Sequence, residues 1–341
     1  MLIIPNVGNV SDGNSLVSSL AKPVSGGEFA DLMSAITFPR NDFKLGVAVS
    51  GGADSMALCL LLRNWVQDRG GELFAVTVDH GLRPESAAEA QWVHARLDAE
   101  GIKHEVLTWE PGNSKKGSLQ VKARDARYEL IAQWCKSREI YFLALAHHQD
   151  DQIETFLMRL IRHSGPNGLA AMSMQHQKDN MTLIRPLLGL AKSRLLSTLR
   201  EGGWGWIEEP SNHKGYYLRN RLRQSLPLLE EKGVEKSTLV RINKSLGRIR
   251  RALQIKTENF IDQRVRIQPA GYIEVDLCES EQINPEILFR ALERALLTVS
   301  GGNYSPRTKQ TRRLVENLLN KDSVNSTLAG CKICLIKERV I

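Results

Sequence analysis

Leu45-Gly46-Val47-Ala48-Val49-Ser50-Gly51-Gly52-Ala53-Asp54-Ser55-Met56-Ala57-Leu58 (45–58) is the stretch on which the fold turns. Its first five residues are a short apolar run that reads as a buried strand. Ser50 to Asp54 reads as a loop, and Ser55 to Val66 as a helix. The same rhythm continues downstream. LFAVTV (73–78), HEVLTW (104–109) and YFLALA (141–146) are further buried strands. Helical segments follow them at about 86–100, 118–136 and 151–162. Strands that are apolar throughout, alternating with helices, predict an α/β fold: a doubly wound parallel sheet covered on both faces. Ligands of such sheets bind at the carboxyl ends of the strands, where the loops beginning at Ser50, Asp79 and His147 all lie.

Beyond Gly168 the rhythm changes. IRPLLGLAKSRLLSTLREGG (184–203) reads as a strand end and a helix, followed by a turn-rich segment around Gly205 and Pro210. From Leu218 the chain is helical and basic, and a short strand, two helices and a terminal strand close it. The expected organisation is a leader over 1–41 with one amphipathic helix near Glu28–Ile36, a catalytic domain over 42–226, and a mainly helical, basic substrate-binding domain over 227–341.

The 341 residues carry a formal charge of +8 and a pI near 9.3, a balance that favours polyanionic partners such as nucleic acid. No apolar run is long enough for a bilayer, and the first residues lack a secretory pattern, so the expected compartment is the cytoplasm. Five cysteines, an odd number, argue against a disulfide framework. Cys331-x-x-Cys334 lies in an alternating stretch with no further ligands nearby, so it reads as a strand and not a metal site.

Three loops carry the chemistry. Ser50-Gly51-Gly52-Ala53-Asp54-Ser55 follows a strand and opens a helix. Paired glycines turn successive backbone amides toward one point, and the helix start adds its positive dipole end. A phosphate or pyrophosphate is the natural guest, although the Walker and G-x-G-x-x-G spacings are absent. His147-His148-Gln149-Asp150-Asp151-Gln152-Ile153-Glu154 ends the fourth strand. Asp151 and Glu154 share the first turn of a helix and resemble a capping box, yet two histidines and three carboxylates exceed what a cap needs. Such a cluster suits an ammonium group, a metal or proton transfer. Asp79-His80-Gly81-Leu82-Arg83 lies on the same rim and suits a nucleoside. Arg124 and Arg127 share a helix face, open to phosphate contact or to a surface ion-pair network. Arg219, Arg221 and Arg223 begin a basic run with few acidic neighbours, which points to RNA phosphate.

The Ser50–Ser55 loop resembles the pyrophosphate loop of the N-type ATP pyrophosphatases, the PP-loop superfamily. VDHGLRPES (78–86), GSLQVKARDARYEL (117–130), AHHQDDQIETFLMRLIRHSGPNGLAAM (146–172), IRPLL (184–188) and EEPSNHKGYYLRNRLR (208–223) narrow the resemblance to the tRNA(Ile)-lysidine synthases. It is strong over about 42–226, with Glu209 where Asp is more usual and His163 where Gly is commoner.

The resemblance implies an adenine nucleotide alpha hydrolase-like domain and a carbon–nitrogen ligase. ATP would adenylate the carbonyl oxygen of the wobble cytidine in the CAU-anticodon tRNA(Ile), and the side-chain amine of free lysine would displace AMP. Ser50, Gly51, Gly52, Ala53, Asp54 and Ser55 would hold the phosphates with Mg2+ on Asp54, joined by His80 and Arg124. Asp151 and Glu154 would receive the lysine ammonium, and His147 or His148 would assist proton transfer. Arg127, Arg219, Arg221 and Arg223 would contact tRNA. The alternatives are a PP-loop tRNA thiolase, which needs reactive or cluster-binding cysteines, and a non-catalytic tRNA-binding protein.

Overall fold

The computed structural model describes residues 21–38, 43–79, 81, 84–109, 119–178, 180–208, 218–302, 306–320 and 324–341. They form two compact units, Met1–Lys244 and Ser245–Ile341.

The first unit is built on a six-stranded sheet in the order β3-β2-β1-β4-β6-β5. Its strands are β1 (Lys44–Ala48), β2 (Glu72–Asp79), β3 (Lys103–Thr108), β4 (Phe142–Ala144), β5 (Gln175–Lys178) and β6 (Met181–Ile184). All neighbours are parallel except the β5–β6 hairpin. The chain runs outward from β1 through β2 to β3, then returns to lay β4 on the other side of β1. The gap between the carboxyl ends of β1 and β4 is therefore the switch point, where doubly wound sheets hold ligands.

Alternation along β1 feeds two cores. Leu45, Val47 and Val49 face one core, packed with α1 (Gly26–Ser34), α2 (Ala53–Gln67), α3 (Ser86–Asp98) and α7 (Lys192–Glu201). The opposite face is covered by Ile131, Trp134 and Cys135 of α4 (Leu119–Ser137). Gly46 belongs to that side, where an added Cβ would stand 3.1 Å from both Ile140 and Leu143. Leu45, Met56, Leu58 and Leu62 are wholly buried, each stabilising the unit by roughly 1.5–3 kcal/mol.

Two expectations change here. α1, read as part of a leader, is built into this core through Phe29 and Met33, which share a face four residues apart, while Arg194 grips the Glu28 carboxylate with both terminal nitrogens. The compact unit also extends to Lys244, past the boundary expected near Leu226. The reason is that α8 (Leu218–Glu231) packs on α5 (Gln149–Ile161) instead of opening a new core.

The second unit starts within the long helix α9 (Lys236–Arg264). It packs α10 (Pro285–Ser300) and α11 (Thr308–Leu319) on a five-stranded antiparallel sheet in the order β7-β8-β11-β10-β9. Here β7 is Val265–Ile267, β8 Ile273–Asp276, β9 Asn325–Leu328, β10 Cys331–Ile336 and β11 Arg339–Val340. Cys331 and Cys334 lie in β10, as expected; three residues apart on a strand, they point to opposite faces and cannot share a metal. Among the described residues no helix is long and apolar enough to cross a membrane.

Candidate active site

The loop after β1 is locked by backbone and hydroxyl bonds. Gly51 sits at φ +85°, a conformation that costs a side-chain-bearing residue, and its carbonyl accepts the Ile207 N–H at 2.9 Å. A Cβ there would stand 2.8 Å from Ile207 Cδ1 and 2.9 Å from Val93 Cγ2. Gly52 differs: it is the N-cap of α2 at φ −68°, ψ 156°, without a side-chain cap. The first turn of α2 thus starts at Ala53, two residues earlier than Ser55, and Asp54 lies inside it. Ser55 Oγ donates to the Gly52 carbonyl at 2.9 Å and accepts the Ser50 N–H at 3.1 Å. Its proton is thereby used, so Ser50 Oγ donates to it across 3.2 Å.

The loop after β4 begins α5. His148 is its N-cap: Nδ1 accepts the Asp150 N–H at 3.2 Å, and the His148 N–H donates to Asp151 Oδ2 at 3.0 Å. A capping box exists, but it joins His148 to Asp151, not Asp151 to Glu154. With the Nδ1 lone pair used in the cap, the neutral ring carries its proton on Nε2. That atom lies 3.4 Å from Asp54 Oδ2 and 3.6 Å from Asp151 Oδ2. His148 therefore ties the two loops together.

Electrostatics follow this geometry. Burial opposes charge on His148, but the hydrogen bond to Asp54 and the charges of Asp151, Asp54 and Asp150 outweigh it and raise the imidazole above its usual value. Burial likewise pushes Asp54 up, and the His148 hydrogen bond with the charges of His148 and Lys192 holds it below the usual carboxyl value. Lys192 Nζ lies 3.5 Å from Asp54 Oδ2, and Asp54 Oδ1 is buried without a hydrogen-bond partner among the described residues. Lys192 was not among the residues singled out from the sequence. The available signal was a cation on the first turn of α7, where the helix dipole disfavours it.

Glu154 departs most from expectation. It is 0% exposed, and its carboxylate is held by two guanidiniums from α8: Arg219 Nε at 2.7 Å from Oε2 and Arg223 Nε at 2.7 Å from Oε1. Arg219 also reaches Asp151 Oδ1 at 3.3 Å. Residues assigned separately to an amine and to RNA are thus in mutual contact. Arg221 and Arg127 are exposed, while Asp79 Oδ1 accepts the Gly81 N–H at 2.9 Å in a local turn. His147 is half-buried on the same loop as His148. His80, Glu209 and the side chain of Arg124 lie outside the described residues.

Other motif residues prove to be structural. Gln152 exchanges two 2.8 Å hydrogen bonds with the backbone of Met172, stapling the following loop to α5. His163 stands at φ +51°, a left-handed backbone conformation that glycine adopts without cost. The thiols of Cys59 and Cys135 are buried and pushed up to about 12 by burial, Arg63 partly offsetting it for Cys59. Neither offers the thiolate that sulfur transfer requires.

The site is therefore a glycine loop at an uncapped helix start joined by a histidine to a carboxylate cluster, an arrangement chemically suited to an anion beside a cation. Residues 27–229 match the model of the PP-loop domain family. The tRNA(Ile)-lysidine synthase of Wolbachia pipientis wMel is 36% identical over 92% of this chain and 73% of its own length. That of Ruegeria pomeroyi is 39% identical over 85% and 68%. Among solved structures, the U34-tRNA thiolase NcsA from Methanococcus maripaludis superposes with a TM-score of 0.54 over 64% of this chain and 78% of its own. At 17% identity that likeness speaks for the fold alone. Taken with the geometry of the two loops, these matches show that the chain belongs to the tRNA(Ile)-lysidine synthase family and carries its PP-loop domain.

Proposed function

We propose that the protein uses ATP to join free lysine to the wobble cytidine of the CAU-anticodon tRNA(Ile), forming lysidine, with the cytoplasm as its compartment. The carbonyl oxygen of the base attacks the α-phosphorus of ATP and pyrophosphate leaves. The lysine side-chain amine then attacks the activated carbon and AMP leaves. One observation carries this reading: the PP-loop and the acidic helix start meet at the β1/β4 switch point through the 3.4 Å contact of His148 with Asp54.

Each group has a task in this scheme. The uncapped start of α2, with Ser50, Gly51, Gly52, Ala53 and Ser55, receives the phosphates. Gly52 keeps a side chain away from them, and Lys192 offsets their charge. Asp54 fits Mg2+, because it is a hard oxygen donor, is held in its charged form, and has one buried oxygen without a partner among the described residues. The ion would offset phosphate charge when bound. His148 is placed to hold or pass a proton between Asp54 and Asp151. Asp151 is the more open carboxylate for the lysine ammonium, and Glu154 joins it only where a guanidinium gives way. Exposed Arg127, Arg221, Arg241 and Lys244 of the first unit are available to tRNA phosphate, as are exposed Arg248 and Arg251 of the second unit on its own surface.

The test is mass analysis of tRNA nucleosides after incubation with ATP and isotopically labelled lysine, with pyrophosphate measured in parallel. Label in a cytidine derivative and pyrophosphate release dependent on all three substrates are expected. Pyrophosphate without label would remove lysine from the scheme, and tRNA binding without pyrophosphate would make the protein a binder.

A further inference from the structure

The acidic pocket is already neutralised from within. Asp151 and Glu154 bring two negative charges, and Arg219 and Arg223 bring two positive ones. An added ammonium would leave an uncompensated cation in the pocket unless one guanidinium departs. The two arginines are not equivalent. Arg223 places Nε and a terminal nitrogen both 2.7 Å from Glu154 Oε1. Arg219 bridges the two acids, at 2.7 Å from Glu154 Oε2 and 3.3 Å from Asp151 Oδ1. If Arg219 leaves, Arg223 still pairs the buried Glu154, and Asp151 keeps the His148 N–H. No buried charge is orphaned, and the two oxygens vacated are those an ammonium needs. The Arg219 side chain is 36% exposed, so it has a path to solvent.

The geometry points to Arg219 as a positioning residue with two sites of residence: on Asp151 and Glu154 when lysine is absent, and on a phosphate of the RNA substrate when lysine is bound. This rests on the functional reading above and deepens it. Guanidinium pairs with phosphate as readily as with carboxylate, so displacement by one substrate frees a contact for the other. Coupling of this kind is reciprocal: lysine tightens tRNA binding, and tRNA tightens lysine binding by the same factor.

The measurement is the dissociation constant of the CAU-anticodon tRNA transcript at fixed salt, with and without saturating lysine, for the wild type and Arg219→Gln. In the wild type, lysine should tighten tRNA binding by about fivefold or more. In Arg219→Gln the ratio should fall to about one, while lysine alone binds more tightly because its internal competitor is gone. Persistence of the coupling in Arg219→Gln, or its absence in a wild type that ligates lysine, overturns the inference while leaving the function intact. A wild type that neither binds nor ligates lysine overturns the functional reading instead. Asp151→Asn tests the same idea from the opposite side of the contact: it should weaken lysine binding yet strengthen lysine-free tRNA binding by releasing Arg219. Asp150→Asn makes the same charge change without touching Arg219; equal strengthening there would reduce the effect to bulk charge and overturn the proposal.

Discussion

Gly51 and Gly52 are adjacent in sequence, yet the structure assigns them opposite costs on substitution by alanine. Gly51→Ala must place a side chain at φ +85°, a left-handed conformation worth about 1–2 kcal/mol. Its methyl would approach Ile207 Cδ1 and Val93 Cγ2 at 2.8 and 2.9 Å. The isoleucine terminus can rotate away, but valine is stiff at χ1, so overpacking adds about 1–3 kcal/mol. Reduced freedom of the unfolded chain returns about 0.4–1 kcal/mol. The net loss is about 1–5 kcal/mol. Gly52→Ala meets nothing closer than Ser50 Oγ at 3.6 Å and keeps an ordinary backbone conformation. Alanine is a poorer N-cap than glycine, which roughly cancels its unfolded-state gain, so stability should hold within about 1 kcal/mol. Urea unfolding followed by circular dichroism, with pyrophosphate release measured on the folded proteins, separates the two. Gly51→Ala should lower the midpoint. Gly52→Ala should keep the midpoint and lose pyrophosphate release, because its methyl sits over the helix start that receives phosphate. Coincident midpoints would refute the strain argument, and a fully active Gly52→Ala would refute the phosphate site.

Two further outcomes follow from the site's charges and thiols. His148 has a folded-state value raised above 6.5, so its contribution to stability is fully present below that pH and is lost as pH rises through the raised value. Thermal unfolding from pH 6 to pH 9 should show this loss in the wild type and a flatter profile in His148→Gln; equal slopes would remove His148 as the link between the loops. Cys59→Ala and Cys135→Ala should retain lysine ligation within about twofold, since both thiols are buried and held neutral. Loss of turnover in either folded variant would reopen sulfur transfer.

How much could be read from the chain alone depends on the range of the forces involved. The first four strands, the parallel sheet, the PP-loop and the acidic helix start were legible, because apolar periodicity and glycine placement act over a few residues. Only the end of β6 was read, and the outer strand of its hairpin escaped, since Gln175–Lys178 is polar with little pattern to read. The helix around Phe29 was recognised as amphipathic but not as part of the core, because amphipathicity shows that a face must be buried and not where.

The sequence by itself determined which groups were available: the amides and hydroxyls of a glycine loop, the carboxylates of a helix start, and a run of guanidiniums. Only the tertiary structure decided which of these groups are already spent on one another. Arg219 and Glu154 are 65 residues apart in the chain and 2.7 Å apart in space, and Lys192 reaches Asp54 from a different helix. The physical reason is that a charge declares its sign locally, whereas its partner is chosen by packing, which brings α8 and α7 to the rim at the sheet's switch point.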